Sequence, residues 1–177
     1  MREKKPLKKS LIGAAVGMLV LSACSSTENS PADVAFAQQM VPHHEQALEM
    51  AKLVPDRSSN DKVRGLAERI EKAQDPEITR MNGWLKEWGA TAEQDHTGHD
   101  MAGMMSHEDM AKLENATGAA FDEQWLDMMI KHHEGAVEMA RTELDQGEDA
   151  DAKKLAQAII DGQQQEITEM KDLLKTP

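Results

Sequence analysis

The chain of 177 residues contains one cysteine, no tyrosine, two phenylalanines and three tryptophans. A single cysteine excludes a disulfide within the chain. Because aromatic side chains are so few, the core must consist of Leu, Ile, Val, Ala and the 13 methionines, which pack easily between helices. No stretch alternates apolar and polar residues over a convincing length, so the sequence predicts no β-strand.

The N-terminal segment has the pattern of a secretory signal peptide. Five basic residues precede an apolar run, Leu11–Leu21, that is too short to span a bilayer permanently. The run ends in Leu-Ser-Ala-Cys24, which resembles the bacterial lipobox, although an ordinary cleavage site beside a chance cysteine is the alternative. We expect lipidated Cys24 to anchor the protein outside the cytoplasm of a bacterium, at the cell surface or in the periplasm. Its thiolate is then not a metal ligand in the folded domain.

The rest of the chain is strongly acidic. Without residues 1–23 it carries 15 basic against 31 acidic side chains. This charge argues against nucleic acid and anionic lipid surfaces as partners, so that contact with the membrane is expected through the N-terminal lipid only. The charge favours solubility and attracts cations, but it does not choose among them.

Two stretches of the chain are nearly alike. The segment MVPHHEQALEMAK begins at Met40 and MIKHHEGAVEMAR begins at Met129, 89 residues later. The same shift, without a gap, aligns Gln74 to Leu85 with Gln163 to Leu174 at most of the apolar positions. The sequence therefore predicts an internal duplication of a unit of about 55 residues.

Each unit contains two amphipathic segments. Apolar residues recur at three- and four-residue steps, which predicts helices that end near Pro55 and Gly89, with a stop at Gly147 in the second unit and a kink or break at Pro76. Two such hairpins bury their apolar stripes best as an all-α four-helix bundle. The predicted organisation is a signal peptide (1–23), a lipidated cysteine and tether (24–32), a first helical hairpin (33–89), a linker (90–117) and a second helical hairpin (118–175).

The doubled histidines lie on the apolar side of their helices. At 100° per residue, His43 and His44 fall within the apolar arc and Glu45 falls outside it. On the second helix Gln74 and Glu77 follow an apolar stripe, and an antiparallel hairpin brings them within a turn or two of Met40 and His43. The candidate metal ligands on the helices are His43, His44, His132, His133, Met40, Met129, Met50, Met139, Glu77, Glu166, Met81 and Met170. The alternative is a polar core layer that only determines helix register.

The linker contains a second set of candidates. Within twelve residues it places His96, His99, Met101, Met104, Met105 and His107. Soft thioether sulfur together with imidazole selects Cu(I) or Ag(I), and the histidines also accommodate Cu(II). The alternatives are a linker with chance methionines or methionines that cover the open end of the bundle. From Ser106, with Asp109 three residues on, a short helix to about Asn115 is predicted.

Ferritin-like di-iron catalysis requires Glu-x-x-His on two helices, and neither repeat contains this motif. No phosphate loop, zinc motif or nucleophile arrangement occurs either, so no enzyme is expected. Two alternatives stay open: a metal oxidase that uses the buried His and Glu, and a structural or interaction module whose histidines form a polar layer. If replacing His43 and His132 lowers the stability of the protein but not the amount of copper that it binds, the structural or interaction module is indicated.

The motifs resemble those of the family called domain of unknown function 305. The resemblance covers about residues 33 to 175 and rests on FAQQMVPHHEQALEMA, FDEQWLDMMIKHHEGAVEMARTEL, the two QxxEIxxM segments and the linker HDMAGMMSHEDM. It implies a ferritin-like fold without di-iron ligands, a link to copper binding and copper resistance, and His43, His44, His132 and His133 as signature positions. The second repeat has Lys131 where the first repeat has Pro42, and this difference puts little of the resemblance in doubt.

Together these patterns predict an extracytoplasmic protein that binds Cu(I), with Cu(II) or Ag(I) as alternatives. Sequestration, copper tolerance and delivery all fit such a protein, and delivery requires a copper-trafficking partner. The oligomeric state and the stoichiometry are open at this stage.

Overall fold

Four long helices and one short helix make up the computed structural model over the residues that it describes, 29–92 and 102–175. The helices are α1 (Pro31–Arg57), α2 (Asp61–Glu87), α3 (His107–Asn115), α4 (Gly118–Gln146) and α5 (Ala150–Leu173). Over these two ranges no β-strand occurs, and the prediction of an all-α fold is confirmed. None of the helices described has the combination of length and apolar character that crossing a membrane needs.

Polar caps determine where most of the helices begin. The side chains of Ser30, Asn60, Ser106 and Asp149 accept backbone N–H groups at the starts of α1, α2, α3 and α5. The cap at Ser106 confirms the short helix predicted in the linker. Each cap satisfies N–H groups that have no partner within the helix, so these residues define the helix starts more sharply than apolar periodicity does.

The predicted kink or break at Pro76 does not interrupt α2, which continues to Glu87. Proline removes one backbone N–H, so the carbonyl four residues earlier, at Lys72, loses its partner. Both Pro76 and Lys72 are exposed, so water can satisfy this carbonyl. In α1, Pro55 likewise lies within the helix, which ends two residues later than predicted.

Helices α1 and α4 form the centre of the bundle and run antiparallel. At one end the Trp125 indole Nε1 donates to the Met50 carbonyl (3.0 Å), and at the other the Glu148 N–H donates to Asp33 Oδ1 (3.0 Å). Helix α2 packs on α1 and α5 packs on α4. Two apolar clusters fill the core, one around Trp125 and one around Phe36. The midpoints of α1 and α4 lie between these clusters.

Trp125 provides a test of the core. Its side chain is fully buried, and its indole N–H bonds a backbone carbonyl of another helix. We expect Trp125→Phe to lower the free energy of unfolding by about 1–2 kcal/mol, because it removes this hydrogen bond and part of a buried ring. Urea denaturation measures the change. Trp88→Phe is the control, since Trp88 is half-buried at the end of α2. Equal losses in the two variants would contradict the role of the buried bond.

Candidate metal centre

The four histidines of the doubled motifs meet at the midpoints of α1 and α4. All four side chains are fully buried, and the ring centroids of His43 and His132 are 3.7 Å apart. Two buried amides at corresponding positions of α2 and α5 lie at the same level between the apolar clusters. This histidine layer consists of His43, His44, His132, His133, Gln74 and Gln163.

Carboxylates hold the outer histidine of each pair. His44 Nε2 lies 2.8 Å from Glu77 Oε2, and His133 Nε2 lies 2.8 Å from Glu166 Oε2. Because a carboxylate only accepts, each of these nitrogens donates its proton. The Glu77 side chain is 20% exposed and that of Glu166 is 19% exposed, so both carboxylates lie at the rim of the layer. The sequence placed Glu77 near Met40 and His43, whereas its hydrogen-bond partner is His44.

The inner histidines, His43 and His132, are uncharged at neutral pH. Burial lowers the pKa of His43 to about 3, and a charge on neighbouring His44 would lower it further. Burial and the adjacent histidines likewise hold the pKa of His132 well below its ordinary value. His43 Nε2 donates to the Ala102 carbonyl at 3.1 Å, whereas neither ring nitrogen of His132 makes a hydrogen bond of good geometry among the residues described, and only the adjacent backbone of His43 acts to raise its pKa.

The layer contains many buried nitrogen and oxygen atoms without partners. Within ranges 29–92 and 102–175, Nδ1 of each of the four histidines has no hydrogen-bond partner. The same holds for both amide atoms of Gln74 and for Oε1 of Gln163. Native proteins satisfy nearly all buried polar atoms, by protein groups, ordered water or a bound ion, so this set leaves several atoms available to such a partner. An imidazole that donates one nitrogen to a carboxylate or carbonyl and leaves the other lone pair free is the usual arrangement of a metal-ligating histidine. His43, His44 and His133 have this arrangement.

The predicted methionine ligands flank the layer on both sides. Met40 and Met81 are buried in the cluster around Phe36, which Met139 borders. Met50, Met129 and Met170 are buried in the cluster around Trp125. Over the ranges that the structure describes, no three His, Asp or Glu side chains form a group that could hold a metal.

The linker candidates are only partly described. Met104 and Met105 are half-buried, and His107 is exposed at the first position of α3. His96, His99, Met101 and the predicted anchor Cys24 lie outside the described residues, as does the predicted signal peptide. Their roles stay predictions.

Sequence reasoning missed the residues that bind the linker to the bundle. Gln46 Nε2 donates to the Met105 carbonyl (2.9 Å), and the Met105 N–H donates to Gln46 Oε1 (2.7 Å). Gly135, the equivalent of Gln46 in the second repeat, contacts the backbone of Ala102 and Gly103. The mismatch of glutamine and glycine within otherwise matching motifs was the available signal.

A pair of buried carboxyl groups was also missed. Asp33 is fully buried and accepts the N–H groups of Ser30, Glu148 and Asp149, and Glu143 beside it is 1% exposed. Burial raises the pKa of Glu143 to about 8, with the Asp33 carboxylate adding to the effect. Burial would also raise the pKa of Asp33, but hydrogen bonds from Glu143, Ser30 and Asp149 lower it to about 2. Glu143 is therefore protonated at neutral pH and Asp33 is charged.

Comparisons with known proteins agree with this architecture. The family model described as Domain of unknown function (DUF305) matches residues 33–174. A DUF305 protein from Streptomyces coelicolor is 34% identical, with 81% of this chain and 92% of that chain covered and a TM-score of 0.76. A DUF305 fragment from Deinococcus radiodurans is 33% identical, with 84% and 98% covered and a TM-score of 0.78.

A third similar structure is CopM in its Cu(II)-bound form. It is 31% identical to this chain, with 81% of this chain and 95% of that chain covered and a TM-score of 0.72. CopM has also been solved with Cu(I), with Ag and in the apo form. Among curated protein sequences none matches the chain.

Proposed function

This chain belongs to the DUF305 family, and from that premise we propose that it is an extracytoplasmic copper-binding protein that sequesters Cu(I) or passes it on. Cu(II) and Ag(I) are further cargo under this proposal. The similarity to CopM, which binds Cu(I), Cu(II) and Ag, supports a metal-binding role.

The observation that carries the proposal is the set of free Nδ1 lone pairs in the histidine layer. Glu77 and Glu166 hold the outer histidines through Nε2, and the Ala102 carbonyl holds His43 in the same way. In each of these rings Nδ1 is the nitrogen that has no hydrogen-bond partner among the residues described. A layer that only determined helix register would not require three rings prepared in this way.

The chemistry of the surroundings favours copper over harder metals. Apart from Glu77 and Glu166 at its rim, the layer offers imidazoles, and Met40 and Met129 are buried about one helical turn before His43 and His132. Imidazole and thioether ligands favour Cu(I) and Ag(I), whereas Ca²⁺, Mg²⁺ and Mn²⁺ take sets of oxygen ligands. Copper would enter as cargo and would raise the stability of the folded protein by an amount that grows with the logarithm of its concentration relative to its dissociation constant.

Other elements of the proposal rest on the sequence. The His- and Met-rich linker would capture ions at the surface, the lipid on Cys24 would keep the protein at a bacterial membrane, and delivery would use a copper-trafficking partner. The acidic surface would attract cations to the linker.

The test is a titration with Cu(I) against a competing chelator. The layer variant carries His43→Leu and His132→Leu, which keep the core positions apolar. The linker variant replaces His96, His99, Met101, Met104, Met105 and His107 with alanine. We expect the wild type to bind at least two equivalents, the layer variant to lose at least one, and the linker variant to keep the layer site. Circular dichroism and urea denaturation confirm that each variant is folded.

The outcomes separate the proposal from its alternative. If the layer variant folds and retains the full stoichiometry, the histidines are a polar structural layer and the linker is the binding element. If neither the wild type nor any variant binds Cu(I) above a nonspecific background, the proposed copper function is wrong.

A further inference from the structure

The segment Ala102–Met105, which we call the strap, lies across α1 and α4 above His43. Gln46 of α1 binds both the N–H and the carbonyl of Met105, which clamps one end of the strap. At the other end the Ala102 carbonyl accepts the proton of His43 Nε2. The strap thus connects the linker directly to the histidine layer.

Two glycines allow the strap to come this close. Gly103 has φ +81°, and a Cβ at this position would lie 2.6 Å from the Lys131 carbonyl oxygen and 3.0 Å from that of His132. A Cβ on Gly135 would overlap the Ala102 carbonyl oxygen. The two backbones therefore touch at a place where neither can carry a side chain.

The strap makes the two halves of the layer unequal. Gln46 and Gly135 occupy equivalent positions, 89 residues apart, and one clamps the strap while the other makes room for it. His43 and His132 are equivalent in the same way, but the strap provides a carbonyl partner only for His43, and the backbone beside the ring of His132 is that of His43.

We propose that the strap, positioned by Gln46 and Gly135, sets the tautomer of His43. A neutral imidazole carries one proton, and a carbonyl can only accept it, so the Ala102 oxygen holds the proton on Nε2 and directs the free lone pair to Nδ1. Glu77 and Glu166 do the same for the outer histidines. In each of these three rings Nε2 carries the hydrogen-bonded proton, and Nδ1 is the nitrogen without a hydrogen-bond partner among the residues described. The relevance to metal binding rests on the proposed function, while the tautomer itself does not.

Gly135→Ala is the sharpest variant. The new methyl group must displace the Ala102 carbonyl, whereas alanine is otherwise favoured over glycine within a helix, so α4 should stay intact. Gly162→Ala is the matched control, because it is a helical glycine whose Cβ would meet nothing within 4 Å. Gln46→Ala releases the other end of the strap without adding bulk. Glu45→Ala, at an exposed neighbouring position, is its control.

The readout is long-range ¹H–¹⁵N NMR of metal-free protein labelled on histidine, with His43 assigned by its loss in His43→Gln. We expect a single Nε2–H form of His43 in the wild type and in both controls, and a mixture of tautomers in Gly135→Ala and Gln46→Ala. Amide exchange at Gly103–Met105 should accelerate at least about tenfold in the same two variants. An unchanged His43 signal in folded Gly135→Ala would overturn the proposal.

Cu(I) affinity is measured on the same variants. We expect it to fall about 10- to 100-fold in Gly135→Ala, the range found when partners of metal-ligating histidines are removed. A changed tautomer with unchanged Cu(I) affinity would support the strap and count against His43 as a copper ligand. The two ideas therefore fail separately.

Discussion

Replacing Asp33 with alanine lowers the free energy of unfolding by about 3–5 kcal/mol, because it leaves several buried N–H groups without an acceptor. The Asp33 carboxylate accepts from Ser30 at the start of α1 and from Glu148 and Asp149 in the turn between α4 and α5. It joins these two segments at the same end of the bundle. Its loss also removes the partner of the buried Glu143 carboxyl group. Urea denaturation at pH 7 measures the change.

The second repeat supplies the control. Asp122 lies 89 residues after Asp33, and its buried Oδ1 has no hydrogen-bond partner over the ranges described. We expect Asp122→Ala to change the free energy of unfolding by less than about 1 kcal/mol, since it gives up fewer hydrogen bonds. Similar losses in the two variants would show that the Asp33 carboxylate does not join these segments as described.

The stability of the wild type falls relative to that of Glu143→Gln as the pH rises from 5 to 9. The pKa of Glu143 is raised from 4.5 to about 8 in the folded protein by burial and by Asp33, with Asp149 adding to the effect and Lys153 opposing it. A raised pKa stabilises the folded state fully below the unfolded pKa, and this contribution is lost as the pH rises through the folded pKa. At about 1.36 kcal/mol per pH unit, the three units between pH 5 and the folded pKa allow a loss of about 4 kcal/mol.

Glutamine at position 143 is the suitable comparison because its amide also donates to Asp33 and does not titrate. Subtracting the two curves removes the contribution of His43 and His132, whose lowered pKa values affect stability as the pH falls below about 6.5. Urea denaturation of both proteins at pH 5, 6, 7, 8 and 9 gives the difference. A difference that stays constant over this range would mean that Glu143 does not hold its proton in the folded state.

Local patterns in the sequence predicted the helices well. The periodicity of the two motifs located α1 and α4, and Ser106 followed by Asp109 predicted the short α3. The same periodicity placed His43 and His44 within the core, where both are fully buried. These features depend on residues within one or two turns of each other, so a single sequence contains them.

Such local patterns could not predict contacts between segments that are distant in the sequence. A helical wheel shows that Glu77 faces α1, but it does not show that its oxygen binds His44 rather than His43. Gly135 reads as a weak position in a helix until the strap is seen against it. The mismatch of Val54 and Glu143 between the repeats was a further signal, because a carboxyl group at an otherwise apolar core position requires a partner elsewhere.

The antiparallel contact of α1 with α4 has the form of a two-fold dimer within one chain. The ring of His43 lies against that of its equivalent His132. Trp125 bonds Met50 at one end, while their equivalents Phe36 and Met139 pack in the same cluster at the other. Two separate hairpins would associate only at concentrations above their dissociation constant. Two joined hairpins instead meet at an effective concentration that the linker sets. A centre that takes residues from both halves therefore stays assembled at any dilution.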